Sequence, residues 1–197
     1  IGAFERCSNL AEIKISENVA VIKSNTFYEC YSLEEIVLSN NVSVIENSAF
    51  YECRGLSSLT LGNGIAKIGN YAFSGCSRLT KIVLPKSVVQ IDSRAFERCS
   101  RLNGIYISDL QAWCNIDFQD SLSNPLYYAG KLYLNNQVIS NLIIPSSVEV
   151  IKNNTFVGCS AMKSLTLHEN ITEIGESAFY FCSGLTDLTL PNSVVTL

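Results

Sequence analysis

Charge is scarce in this chain: Asp, Glu, Lys and Arg make up 16% of its 197 residues, against about 25% in an average globular protein. Disorder needs high charge and low hydrophobicity, so 47% apolar residues exclude it. Glycine (11) and proline (4) are few as well, which removes collagen-like and linker-like readings. With a single histidine, no H-E-x-x-H helix is available, and neither a G-x-S-x-G turn nor a Ser-His-Asp set is demanded by spacing, so metalloenzyme and hydrolase chemistry have no footing. No run approaches the ~18 consecutive apolar residues of a membrane span, and no signal-peptide stretch opens the chain, so no membrane insertion is expected. The net charge is −4 with no basic cluster along the sequence, so nucleic acid is not an expected partner. The mean hydropathy of +0.20 must therefore come from dispersed apolar residues.

What is abundant is a period. Phe4, Phe27, Phe50, Phe73 and Phe96 stand 23 residues apart, as do Phe156 and Phe179. Three residues after each comes a cysteine: Cys7, Cys30, Cys53, Cys76, Cys99, Cys159 and Cys182. Counted from the cysteine, apolar residues recur at offset three (Leu33, Leu56, Leu79), at six and eight (Ile36 and Leu38, Ile82 and Leu84), and at twelve and fifteen (Val42 and Ile45, Val88 and Ile91). The 60 residues from Cys99 to Cys159 equal two periods plus 14, so an enlarged unit is hidden there. Set at Asn136, it places Ile139, Leu142, Ile144, Val148 and Ile151 on the same offsets. The chain reads as eight copies of one unit.

The alternation I-x-L predicts a strand whose offsets six and eight point inward and five and seven outward. Ser24, Asn47, Asn70, Ser93 and Asn153 stand where an N-cap acceptor would open a short helical turn leading into Phe. No unit buries its apolar side alone, but stacking at the ~4.8 Å strand spacing makes a continuous core. The expected architecture is one α/β solenoid over residues 1–197. It is a curved right-handed horseshoe with a parallel β-sheet on the concave face and short helical turns on the other, enlarged at about 108–135.

The I-x-L-P-x-x-V-x-x-I and A-F-x-x-C patterns, as in Ile82 through Cys99 and Leu188 through Leu197, resemble the BspA-like, or treponemal-type, leucine-rich repeat over essentially the whole chain. Pro85, Pro145 and Pro191 keep the family's strand-ending proline, while Ser16, Ser39, Gly62, Ser108 and His168 replace it. The resemblance implies a leucine-rich-repeat fold in secreted or surface-exposed bacterial or protist proteins, several of them adhesive toward host matrix proteins or other cells. It implies no catalytic residues.

In the enlarged unit, Asp109 can cap a short helix carrying Leu110 and Trp113, and Asn124-Pro125 marks a turn. Asn135-Asn136 suits a tight hairpin between Lys131–Leu134 and Gln137–Ser140, because Asn tolerates positive φ. Trp113, Phe118, Leu126, Tyr127 and Tyr133 are expected to fill the space left by the missing A-F-x-x-C turn, and Tyr128 is the candidate exposed anchor for a partner.

Seven of the eight cysteines share one offset and none forms C-x-x-C, so zinc and thioredoxin-like readings lack their spacing. A ladder of reduced thiols reaching backbone carbonyls is expected, with Cys114 buried beside Trp113. Gly62-Asn63-Gly64 is read as a turn rather than a phosphate loop, and Asp117 with Asp120 is too small a set for calcium. No metal and no cofactor are expected. The open strand face offers Val83, Tyr106 and Ile143 at offset seven in what count as consecutive units, so an apolar stripe is expected there, flanked by Lys81 and Asn141. These residues define the expected contact for a host matrix or cell-surface protein or glycan. The alternative is a spacer that displays another domain of a larger surface protein. The absence of polar capping units raises the further expectation of a fragment or of end-to-end self-association.

Overall fold

A computed structural model describes all 197 residues. The chain winds as a parallel β-solenoid of about seven turns with little helix, one fewer than the eight units expected from the spacing. Successive coils lie in register at a step of 23 residues. Ile22 pairs with Ile45, Ile45 with Ile68 and Ile68 with Ile91, and Ile36 pairs with Leu59. No helix is long and apolar enough to cross a membrane.

Two faces carry strands. The V-x-x-I segments Val21–Ile22, Val44–Ile45, Lys67–Ile68 and Gln90–Ile91, joined by Asp117–Phe118 of the enlarged unit, form a five-stranded parallel sheet, and Val150–Ile151 with Glu173–Ile174 forms a separate two-stranded piece after it. The I-x-L segments make the other face, which is divided into three pieces rather than one sheet: Glu35–Val37 with Ser58–Thr60, then a four-stranded piece, then Asn141–Ile143 with Ser164–Thr166. Between the faces the inward side chains form one apolar core, with Ile45, Leu56, Ile65, Phe73, Leu79 and Ile91 wholly buried.

The expected helical turns are not helices. Through the segment before each cysteine, alternate amides point in different directions. Asn25, Phe27 and Glu29 donate N–H to the carbonyls of Asn47, Ala49 and Tyr51 in the next coil, while Tyr28 and Cys30 donate back to Asn25 and Phe27 within the turn. That alternation needs left-handed backbone at two positions per coil, seen at Asn25 (φ 59°) and Glu29 (φ 56°) and again at Ser48 and Glu52. An α-helix would aim every N–H along its own axis. The expected N-cap residues serve the neighbouring coil instead: Asn47 Oδ1 accepts from Asn70 N–H at 2.9 Å and Asn153 Oδ1 from Glu176 N–H at 2.8 Å.

The phenylalanines stack face to face along the axis, with centroid spacings of 5.4, 5.1, 5.1 and 5.4 Å from Phe4 to Phe96. The stack stops at the enlarged unit and resumes at Phe156 and Phe179. There, Asp109 caps helix Leu110–Cys114 by accepting from Ala112 N–H at 2.9 Å. The helix drives Trp113 into the core, where its indole N–H donates to Thr155 O at 3.1 Å. Asn124 is buried and donates its amide to Asn154 O and Thr155 O of the following coil. Trp113, Phe118 and Leu126 thus fill the vacated space as expected, whereas Tyr127 is half-buried and Tyr133 lies on the strand face.

Candidate functional site

The four-stranded piece of the strand face contains what the enlarged unit adds. Strand Leu132–Leu134 pairs in parallel with Ile105–Ile107, which pairs with Ile82–Val83. Asn135 (φ 50°) and Asn136 (φ 65°) then reverse the chain into Gln137–Val138, antiparallel to Leu132–Leu134. Two consecutive left-handed residues are what a two-residue hairpin turn demands, and Asn accepts them cheaply. The hairpin therefore occupies the position next to Tyr106 on this face.

This corrects the expected stripe. Register places Val83, Tyr106, Tyr133 and Val138 side by side across four strands. Ile143 and Asn141 belong to a separate pair of strands, and Asn141 Oδ1 accepts from Ser164 Oγ–H there at 3.0 Å. Ile143 is exposed (67%), as expected, but Tyr133 is the neighbour that Tyr106 meets. The Tyr106 and Tyr133 rings stack at 4.4 Å and 7°. Both lean over Gly104, where an added Cβ would stand 2.9 Å from Tyr133 Cε2 and 3.0 Å from Tyr106 Cε2. Glycine leaves room for the rings to lie back on the sheet. Burial, and then the neighbouring Tyr133, push the Tyr106 hydroxyl above its ordinary range. Lys81 and Val83 are exposed at the edge of this row. Tyr128, expected as an exposed anchor, is half-buried against the core and donates its hydroxyl to Leu122 O at 3.3 Å. Its short helix, Leu126–Ala129, turns it inward, so the anchor role falls away.

The thiols are structural. Cys30, Cys53, Cys76, Cys99 and Cys182 each donate S–H to the carbonyl of the phenylalanine 26 residues earlier, at 3.1–3.3 Å. Cys7, at the first coil, is exposed, and Cys159 follows the unit that lacks the phenylalanine. All eight are free, Cys114 buried among them beside Trp113. Burial pushes the Cys99 and Cys114 thiols up to about 12 and Cys159 to about 11. Thiols held protonated are poor nucleophiles and poor metal ligands. His168 is a half-buried turn residue, its Nδ1 accepting from Asn170 N–H at 3.2 Å and its Nε2 against Pro145 O at 2.9 Å. Asp120 accepts from Ser123 N–H and Ser93 Oγ–H, and Asp117 faces Lys152 at 3.5 Å. No group of three or more His, Cys, Asp or Glu side chains converges anywhere on the fold.

The unit found by spacing is one that recurs elsewhere. Residues 1–124 and 128–197 match the BspA type leucine rich repeat region, in six copies. The chain belongs to the BspA-type leucine-rich-repeat family. No curated protein matches the sequence. Among solved structures, this BspA-type chain is similar to a leucine-rich repeat protein from Bacteroides ovatus, with 25% identity and a TM-score of 0.50 over 98% of this chain and 63% of that one. It is similar to the pneumococcal vaccine antigen PcpA, with 27% identity and a TM-score of 0.51 over 82% of this chain and 40% of that one. It also shares the fold of the T. pallidum leucine-rich repeat protein TpLRR, with 22% identity and a TM-score of 0.55 over 86% and 72% of the two chains. The BspA-type chain thus spans less than two thirds of the length of the first and second of these relatives.

Proposed function

We propose that the chain is a non-enzymatic recognition module, extracellular or displayed at a cell surface, that binds a protein or glycan through its strand face around the Tyr106–Tyr133 pair. One observation carries this reading: an outward row of Val83, Tyr106, Tyr133 and Val138 that the core does not need. Inward neighbours Ile82, Ile105 and Leu132 are wholly buried and already fill the interior. Outward positions of a half-solvated sheet are ordinarily polar, and apolar patches kept on a surface generally have a use. Similarity to the pneumococcal vaccine antigen supports the surface setting.

A spacer that displays another domain is the second reading, favoured by the unbroken phenylalanine stack from Phe4 to Phe96, which stiffens the axis. The two separate in one experiment. The purified chain is screened on an array of matrix proteins and glycans, alongside Tyr106→Ala/Tyr133→Ala. Recognition predicts at least one partner whose affinity falls tenfold or more in the double variant. Silence from the unaltered chain favours the spacer, and a partner bound equally well by both proteins refutes the tyrosine row.

A further inference from the structure

The fold gathers positive charge that the sequence disperses. Register sets Lys81, Gly104 and Lys131 in one row across three strands, directly beside the row of Val83, Tyr106 and Tyr133. Lys81 and Lys131 are both exposed and stand about 9.6 Å apart at the backbone, two strand spacings of about 4.8 Å. Arg78 and Arg101, also exposed, occupy equivalent positions at the entry to two of these strands. None of the four joins an ion pair, a state they share with Lys14, Lys86 and Lys163, whereas Arg6, Lys23, Arg54, Lys67, Arg94, Arg98 and Lys152 are all paired. The outward rows of the strand face hold carboxylates only toward the ends, at Glu12, Glu35 and Asp187. In a chain of net charge −4, the middle of this face is a cationic island, and the two tyrosine rings lean over Gly104 between its lysines.

We infer that this island is the binding site for an acidic glycan, a sugar chain bearing carboxylate or sulfate groups; the inference rests on the recognition reading above and names its ligand class. Lys81 and Lys131, with Arg78 and Arg101 behind them, meet the anionic groups. The hydroxyl-bearing edges of Tyr106 and Tyr133 meet sugar hydroxyls, and Val83 lies under the apolar face of a ring. A glycan suits the shape better than a peptide does. Peptide and protein partners concentrate their binding energy by filling pockets, and three clefts open elsewhere. One of about 770 Å³ lies at the first coils between Glu12 and Glu35, one of about 460 Å³ on the V-x-x-I sheet beside Lys67 and Asp117, and one of about 470 Å³ at the turn edge beside Tyr127. Tyr106 and Tyr133 line none of these three clefts, and the chemistry of their row is hydroxyl, ring edge and ammonium.

Surface-immobilised chain is titrated with a heparin oligosaccharide, a dextran oligosaccharide of equal length, poly-L-glutamate and a single-stranded DNA oligonucleotide, at 50 and 300 mM NaCl. Heparin is expected to bind, to weaken at least tenfold at the higher salt as the charges are screened, and to bind at least tenfold more tightly than poly-L-glutamate or DNA. Dextran is expected not to bind. Lys81→Glu/Lys131→Glu and, separately, Tyr106→Ala are each expected to weaken heparin at least tenfold with an unchanged melting temperature. Equal binding of poly-L-glutamate or DNA, or unchanged heparin binding by the charge-reversed variant, overturns the inference. An array partner that depends on Tyr106 while heparin fails to bind would overturn the ligand class alone. Heparin binding that depends on the lysines but not on Tyr106 would refute the tyrosine row as its site.

Discussion

Replacing Phe73 by alanine tests whether the coils are held together as described. Phe73 is wholly buried and stacked between Phe50 at 5.1 Å and Phe96 at 5.4 Å. Truncating a buried phenylalanine costs about 3–5 kcal/mol. Loss of two ring contacts, each about 0.5–1.5 kcal/mol, puts this site at the top of that range, about 5 kcal/mol. Phe4 holds the same place in the repeat but is 39% exposed and stacks only on Phe27, so Phe4→Ala should cost about 1–2 kcal/mol. Urea unfolding followed by circular dichroism reads both. With an m-value of about 2 kcal/mol/M, the midpoint should fall by about 2–2.5 M for Phe73→Ala and by less than about 1 M for Phe4→Ala. Equal shifts in the two variants, or a shift below about 0.3 M for Phe73→Ala, would refute the stacked-coil account.

Two further outcomes follow from the core. At pH 8 iodoacetamide should label Cys7 in the folded chain and leave the buried ladder untouched, while all eight thiols label in denaturant; labelling of Cys76 at the rate of Cys7 would contradict the ladder. Burial holds Cys99 and Cys114 near 12 and Cys159 near 11, above an ordinary value of 9. The unfolded chain therefore gives up these protons first, so the stability present below pH 9 should fall as pH rises toward 11 and 12. The slope is at most about 1.4 kcal/mol per pH unit for each such thiol, readable as a falling melting temperature, and a flat profile from pH 9 to 11 would count against it. Trp113→Phe should cost about 0.5–1.5 kcal/mol in the same urea assay, because it removes the indole N–H donated to Thr155 O while the Asn124 amide keeps that carbonyl satisfied; a neutral effect would mean that the bond contributes nothing.

Most of the scaffold was legible because one period repeats the same physical demand in each coil. The phenylalanine and cysteine spacing, the inward I-x-L pair, the Asp109 cap and the Asn135-Asn136 hairpin all appear where local chemistry places them. The turns are not legible in the sequence because Asn47 and Asn153 have the chemistry of N-caps within a single coil. Their acceptors serve amides 23 residues on, and left-handed backbone at Glu29 or Arg98 carries no residue signature. The candidate site was half legible. Lys81, Val83 and Tyr106 lie together, but counting the hidden unit from Asn136 assigned Ile143 the place that Tyr133 takes. A signal for the correct register was present: Lys131-Leu132-Tyr133-Leu134 repeats the pattern of Lys81-Ile82-Val83-Leu84. Tyr128 misled because its helix is only four residues long and its facing is set by the neighbouring coil rather than by its own periodicity.

The proposed site depends on the hairpin standing beside Tyr106 on the strand face, and solution NMR reads that placement directly. With tyrosine rings and isoleucine methyls selectively protonated in a deuterated chain, strong ring-to-ring cross-relaxation between Tyr106 and Tyr133 is the predicted result, as their 4.4 Å stacking requires. Cross-peaks from Tyr106 to Ile143 methyls with none to Tyr133 would contradict it, returning Asn141–Ile143 to the adjacent position and removing the paired-tyrosine site.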